Sequence, residues 1–263
     1  MTNRLIAWSM AAVAIAGLVA SARVRAMGQA PAASARAVPR TAEGTPDFSG
    51  IWQVINTANW NIQDHAASLG VPGGIGVVEG DDLPYTPAAA AKKKQNFDNR
   101  KSADPVAQCF MAGVPRSTYL PFPFQMFQTP QLIAIVYEFV HSYRPIYLTG
   151  AKHFEDGDFW MGHSIGHWEG DTLVVDVANF NDQTWFDQAG NFHSDALHVV
   201  ERYSFIDRNT LNYDVTIEDP KVFTRPWKMS MPIHRRIEKG MQLAEYECYA
   251  YADEEGGKRG GVK

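Results

Sequence analysis

Residues 162–175 read GHSIGHWEGDTLVV, placing two histidines, a serine and two carboxylates within a short span. Metal ligation, nucleophilic attack and proton transfer all use such groups. On a helix, the i,i+4 spacing of His163 and His167 would suit zinc. On an extended strand the two rings share a face but lie about 13 Å apart, at roughly 3.3 Å per residue. Gly162, Gly166 and the turn that follows favour the strand, so no metal is expected. GHSIG also satisfies G-x-S-x-G around Ser164, with Asp187 and His193 downstream in the order used by one hydrolase class. That class needs a strand running directly into a helix, whereas HWEGDTLVV offers a turn and another strand. A serine hydrolase using Ser164 is therefore an alternative reading. WEGDT reads as a tight turn, with Gly170 free to take positive φ, rather than as a calcium site.

Proton transfer is the preferred chemistry. In LHVVERYSF, alternation puts Leu197, Val199, Glu201, Tyr203 and Phe205 on one face, a carboxylate within an apolar stripe. A buried carboxylate needs a partner or a changed protonation state. Arg144, Arg202, a tyrosine or a histidine could satisfy Glu201 as a structural pair; beside His163 or His193 it could instead move protons. In the acid–base reading Glu201 or His163 accepts a proton, Arg144 holds an anionic oxygen, and His193, oriented by Asp187, donates one. Candidate ligand-binding groups are Tyr137 and Glu138 in QLIAIVYEF, Trp160 and Trp168 beside the two glycines, Trp185 in a long loop, and Trp227 in RPWKMSM. Each of these aromatic rings suits core packing equally well.

The elements that must position these groups are mostly strands. From Gln131 onward, QLIAIVYEF, RPIYLTG, DFWMGHSIGHW, TLVVDVANF, LHVVERYSFI, LNYDVTI, RPWKMSMPIHRR and MQLAEYECYAY are extended segments, several joined by short polar turns. Such spacing predicts antiparallel hairpins, and the lack of helical crossovers argues against parallel pairing. The expected fold is mostly β: an antiparallel barrel or strongly curved meander, lipocalin-like, with a cavity for a small ligand. A β-sandwich is the alternative. Upstream, DFSGIWQV suits a short strand, and Thr86-Pro87 followed by AAAAKKKQNF predicts a capped helix within helical or looped decoration.

Five of these segments, DFSGIW, CFMAGVPR, GHSIGHWEGDTLVVDVANF, FHSDALHVVERY and EDPKVFTRPW, together resemble an uncharacterised group of exported bacterial proteins. Its members carry G-H-S-x-G-x-W-E-G-D-T-L-V-V followed by a D-P-x5-P-W segment. The resemblance spans residues 47–250 and implies export but no particular reaction. His167 stands where other members often carry Arg.

Export agrees with the amino terminus, where Arg4 precedes an apolar run from Leu5 to Ala20. Residues 1–30 read as a signal peptide cleaved after Ala26 or Ala30, the run being shorter than the roughly 20 residues of a spanning helix. Residues 31–46 read as a flexible linker, 47–251 as one β-rich domain and 252–263 as a flexible tail. A periplasmic or extracellular location follows, without stable membrane insertion after processing. It makes a Cys109–Cys248 disulfide permissible, two buried thiols being the other possibility.

With 24 Lys and Arg against 29 Asp and Glu, the net charge is −5 and the signs are mixed along the chain. Nucleic acid is not an expected partner, because phosphate binding needs a concentrated positive field. No organic cofactor fingerprint occurs, and none is expected. The sequence therefore points to an enzyme of lyase or isomerase type acting on an apolar or aromatic small molecule in a barrel cavity. A periplasmic carrier or sensor of a hydrophobic ligand is the competing function.

Overall fold

A computed structural model describes residues 37–68 and 70–250. The expected signal peptide and carboxy-terminal tail lie outside the described residues. Nine strands close into a barrel: β1 (Gly50–Gln53), β2 (Phe124–Gln128), β3 (Leu132–Tyr137), β4 (Tyr143–Tyr147), β5 (His163–Glu169), β6 (Thr172–Ala178), β7 (His198–Asp207), β8 (Thr210–Glu218) and β9 (Trp227–Arg235). Closure comes from β1, which pairs with β2 on one side and sets Trp52 opposite Arg235 of β9 on the other. The mostly β barrel expected from strand alternation is the fold observed, and the sandwich is not.

Gly50 of DFSGIW makes this closure possible. Its φ is 134°, and an added Cβ would collide with the Arg235 guanidinium. That guanidinium lies 4.1 Å over the Trp52 ring and donates to the Ser49 carbonyl at 2.6 Å. The stacked cation thus reinforces the short backbone pairing of β1 with β9 that seals the barrel.

Two expectations about strands are corrected. The β4–β5 pairing is parallel, Ile146 opposite Ser164 and Tyr147 opposite Ile165. A parallel step needs a long crossover but not a helical one, and residues 148–162 supply it as irregular chain. For the same reason DFWM belongs to that crossover, and the strand begins only at His163. The second correction concerns MQLAEYECYAY, which forms no strand among the described residues. Tyr246 makes one isolated bridge to Phe139, and the Cys109–Cys248 disulfide fastens the segment to the loop before β2.

Alternation fills the barrel. Ile133, Ile135 and Tyr137 point inward from β3, Val175 and Val177 from β6, and Met229 and Met231 from β9, all essentially buried. Gly166 also faces inward, where a Cβ would come within 2.7 Å of Leu148 and 2.8 Å of Ile146. Its missing side chain permits close packing across the parallel seam. The barrel's buried aromatic clusters are consistent with small-molecule binding. Among the described residues no helix is long and apolar enough to cross a membrane.

The decoration packs outside. Helix α1 (Pro87–Ala103) is capped by the Thr86 hydroxyl, which accepts from the Ala89 amide at 3.3 Å, with Pro87 at its first turn. The short α2 (Arg116–Tyr119) carries Arg116, which is buried and donates to both oxygens of Asp104 at 2.7 and 2.8 Å. In the stretch expected as a linker, residues 37–46 form a turn whose Arg40 grips Asp171 of the β5–β6 hairpin with two hydrogen bonds.

Candidate functional site

The residues expected to do acid–base chemistry fall into three separate places. Glu201 and Arg144 meet inside the barrel, 0% and 1% exposed, as a two-pronged ion pair. Glu201 also accepts from the Tyr203 hydroxyl at 3.1 Å and the Tyr213 hydroxyl at 2.5 Å. Burial opposes the Arg144 charge, but the adjacent Glu201 outweighs it and holds the guanidinium pKa well above its ordinary value. Burial and the Glu201 charge push both phenols well up, so they remain neutral donors. With every oxygen of Glu201 occupied and no solvent exposure, this carboxylate is a structural anchor.

Arg144 Nε donates to Ser164 Oγ at 2.8 Å. Ser164 lies inside β5, only 2% exposed, and the chain continues as strand. The nucleophile-elbow geometry is therefore absent. Tyr137 is buried beside this cluster, and burial raises its phenol pKa.

His193 and Asp187 occupy the second place, between the long loop and the barrel, and they do not pair with each other. His193 Nδ1 donates to the Ser194 carbonyl at 2.8 Å, so Nε2 of the neutral ring accepts from the Thr184 hydroxyl at 2.6 Å. Burial lowers its pKa and keeps it neutral. Asp187 accepts from the Ile62 amide and from the Asn191 amide and side chain; burial raises its pKa. Both residues hold loops together. The expected orientation of His193 by Asp187 fails because each satisfies its hydrogen bonds locally.

The third place is open. His163 begins β5 and points outward into a groove of about 450 Å³ lined by Met111, Tyr143, Pro145, Tyr147, Phe154, Asp158, Phe159, Trp160 and Met161. Its volume falls within the roughly 300–1,000 Å³ of small-molecule sites. Several rings stay partly in solvent, Tyr143 at 68%, Phe154 at 53% and Phe159 at 40%. Contiguous exposed apolar surface of this kind marks interaction sites.

The parallel seam builds the groove. Pro145 has no N–H to donate, and the ladder to β5 begins only at Ile146, leaving a gap below the crossover. Asn179 fixes the crossover over that gap. Its side-chain amide donates to the Phe154 and Gly157 carbonyls at 3.1 and 3.3 Å, and its backbone carbonyl accepts from the Phe159 amide at 2.9 Å. Gly162 turns the chain back into β5 with a φ of 63°, where a Cβ would press on Phe180 and Val177. The result places Phe154, tilted, 4.6 Å from the His163 ring and 5.6 Å from Phe159, with Trp160 5.2 Å from Phe110.

Behind His163 runs a line of polar side chains. His163 Nδ1 lies 3.1 Å from His153 Nδ1, and His153 Nε2 lies 2.6 Å from one oxygen of Asp176. The other oxygen of Asp176 accepts from His198 Nε2 at 3.1 Å. Although burial works against the Asp176 charge, these histidine hydrogen bonds hold its pKa below the ordinary value. Partial burial, and then the neighbouring His153, lower that of His163. No group of three or more His, Cys, Asp or Glu suited to a metal occurs among the described residues.

The other expected ligand-binding groups lie elsewhere. Trp168 stacks on Phe48 at 5.7 Å. Trp185 is buried at a bridge to Phe192. Trp227 packs against Phe186 and Phe223, its buried indole nitrogen having no hydrogen-bond partner among the described residues. Glu138 accepts from the Ala244 amide at 2.7 Å. Of the expected residues, His163 and Trp160 share the groove, and Ser164, almost fully buried and held by Arg144, reaches its lining. The sequence reading missed Tyr147, Phe154, His153, Asp176 and His198. Outward alternation in TLVVDVA and LHVVER did carry a signal for the last two, since Asp176 and His198 point away from the core. No protein-family model matches the chain, and no curated protein sequence is detectably similar to it.

Proposed function

We propose that the protein binds an apolar or aromatic small molecule in the groove beside His163, as an exported carrier or sensor. The observation that carries this reading is the cluster of half-exposed rings around a preformed space of about 450 Å³. A binder needs only shape, apolar surface and a few polar groups. The sealed Glu201–Arg144 pair and the satisfied His193 leave the groove without the distributed acid–base set that an isomerase or lyase would use. The exported setting rests on the apolar amino-terminal run and the resemblance described above, and the disulfide is compatible with it.

Catalysis by His163 alone is a second reading, favoured by the hydrogen-bonded backing of that ring by His153 and Asp176. Titration with naphthalene, followed by tryptophan fluorescence, tests the main reading. Binding should saturate, and Trp160→Ala should weaken it roughly five- to tenfold, the worth of one aromatic contact. Unchanged affinity in a folded Trp160→Ala protein would place binding elsewhere.

A further inference from the structure

The line Asp176–His153–His163 constrains where protons sit. Asp176, held ionised, can only accept, so His153 Nε2 carries a hydrogen. When His153 is neutral its Nδ1 is then a lone pair. The 3.1 Å contact with His163 Nδ1 is a hydrogen bond only if His163 Nδ1 donates. In a neutral His163 that leaves Nε2 unprotonated. No residue among those described hydrogen-bonds to this nitrogen, and the ring lines the groove. Two backing residues thus fix a tautomer that presents an acceptor to the ligand, as outer groups fix the tautomer of metal-bound histidines.

We infer that the groove selects an aromatic molecule bearing a hydroxyl, a phenol or enol, whose O–H donates to His163 Nε2. This rests on the aromatic-binding reading above and names the ligand class within it. The apolar rings hold the flat body of such a molecule, and the His163 acceptor reads its polar end. Adding one proton to either imidazole reverses the polarity. A cationic His153 donates to His163 Nδ1 and leaves Nε2–H, and a cationic His163 carries hydrogen on both nitrogens. The hydroxyl then meets a donor, and because a phenol donates better than it accepts, preference for the hydroxyl should weaken on acidification.

Other groups facing this line are Tyr143 and Tyr147 from β4, Asp158 from the crossover, His198 from β7 on the far oxygen of Asp176, and Glu218 from β8. Asp158 and the two tyrosines border the groove, and none of them hydrogen-bonds to His163. His198 and Glu218 act through Asp176.

Paired titrations of the full chain with 2-naphthol and naphthalene test the inference. At neutral pH 2-naphthol should bind about five- to tenfold more tightly than naphthalene, the net worth of one hydrogen bond in a partly desolvated site. Asp176→Asn, which lies outside the groove lining, should reduce that ratio while leaving naphthalene affinity within about twofold, which a general structural defect would not do, and His163→Phe, which alters the lining itself, should abolish the ratio. Imidazole nitrogen NMR gives an independent reading: His163 should be protonated at Nδ1 in the wild type and shift towards Nε2 in Asp176→Asn. Equal affinity for the two probes, or a wild-type His163 protonated at Nε2, overturns the hydroxyl inference and leaves aromatic binding standing. Failure of both probes to bind overturns both.

Discussion

Replacing Glu201 by Gln keeps the volume of the side chain and removes its charge. The Arg144 guanidinium, 1% exposed, would then sit in the barrel without a counter-charge. Breaking a buried pair from one side costs roughly 3–5 kcal/mol, a large share of the roughly 5–15 kcal/mol that holds a domain folded. The hydroxyls of Tyr203 and Tyr213 also lose a charged acceptor. The double variant Arg144→Met/Glu201→Met removes the orphaned charge, so its residual cost comes from polar groups that lose partners, about 1–3 kcal/mol for each one left unsatisfied. Urea denaturation of wild type, Arg144→Met, Glu201→Met and the double should therefore give a coupling of at least about 2 kcal/mol, the double being more stable than the sum of the singles implies. A folded Glu201→Gln protein should bind naphthalene as the wild type does, because Glu201 does not reach the groove. Additive single effects, or a stable Glu201→Gln protein that no longer binds, would refute the assignment of this pair to structure.

The Cys109–Cys248 bond closes a loop with a sequence separation of 139 residues, for which chain entropy allows up to about 5 kcal/mol. Cys109→Ala/Cys248→Ala should lose about 2–5 kcal/mol in urea denaturation, and a loss below about 1 kcal/mol would contradict a fastening role. His193 has a folded pKa lowered from 6.5, so the unfolded chain takes up its proton first as pH falls. Its contribution is fully present above 6.5 and is lost as pH falls towards the depressed folded value. Stability should thus decline on acidification below 6.5 by up to about 1.4 kcal/mol per pH unit for this one proton. The lowered pKa of His163 acts in the same direction, so the decisive comparison is His193→Gln against wild type. An unchanged slope would remove His193 from the account.

The barrel was legible in the sequence because inward and outward positions alternate along single strands. Val199, Glu201 and Tyr203 sit on the inner face that the pattern assigns them. What alternation cannot show is which strands neighbour one another. The parallel step from β4 to β5 was invisible because its crossover has no helical period. The groove arises at that step, so its lining residues Tyr147, Phe154 and Phe159 carried no local signal as a site. Glu201 and Arg144 were nominated as reactive groups from the same reasoning that makes them a pair: a charge in an apolar stripe must find a partner, and across the barrel each finds the other. His153 lies within EDGD-flanked loop sequence, and only three-dimensional folding brings it between His163 and Asp176.

Methionine methyl groups report directly on where an aromatic molecule binds. Met111 and Met161 line the groove, whereas Met126, Met229 and Met231 are buried in the barrel at 2% exposure or less. Addition of 2-naphthol to protein labelled at the methionine methyls should produce ring-current shifts at Met111 and Met161 and leave the three interior methyls in place. Shifts confined to Met126, Met229 and Met231 would put the ligand inside the barrel and contradict the assignment of the site to its outer wall.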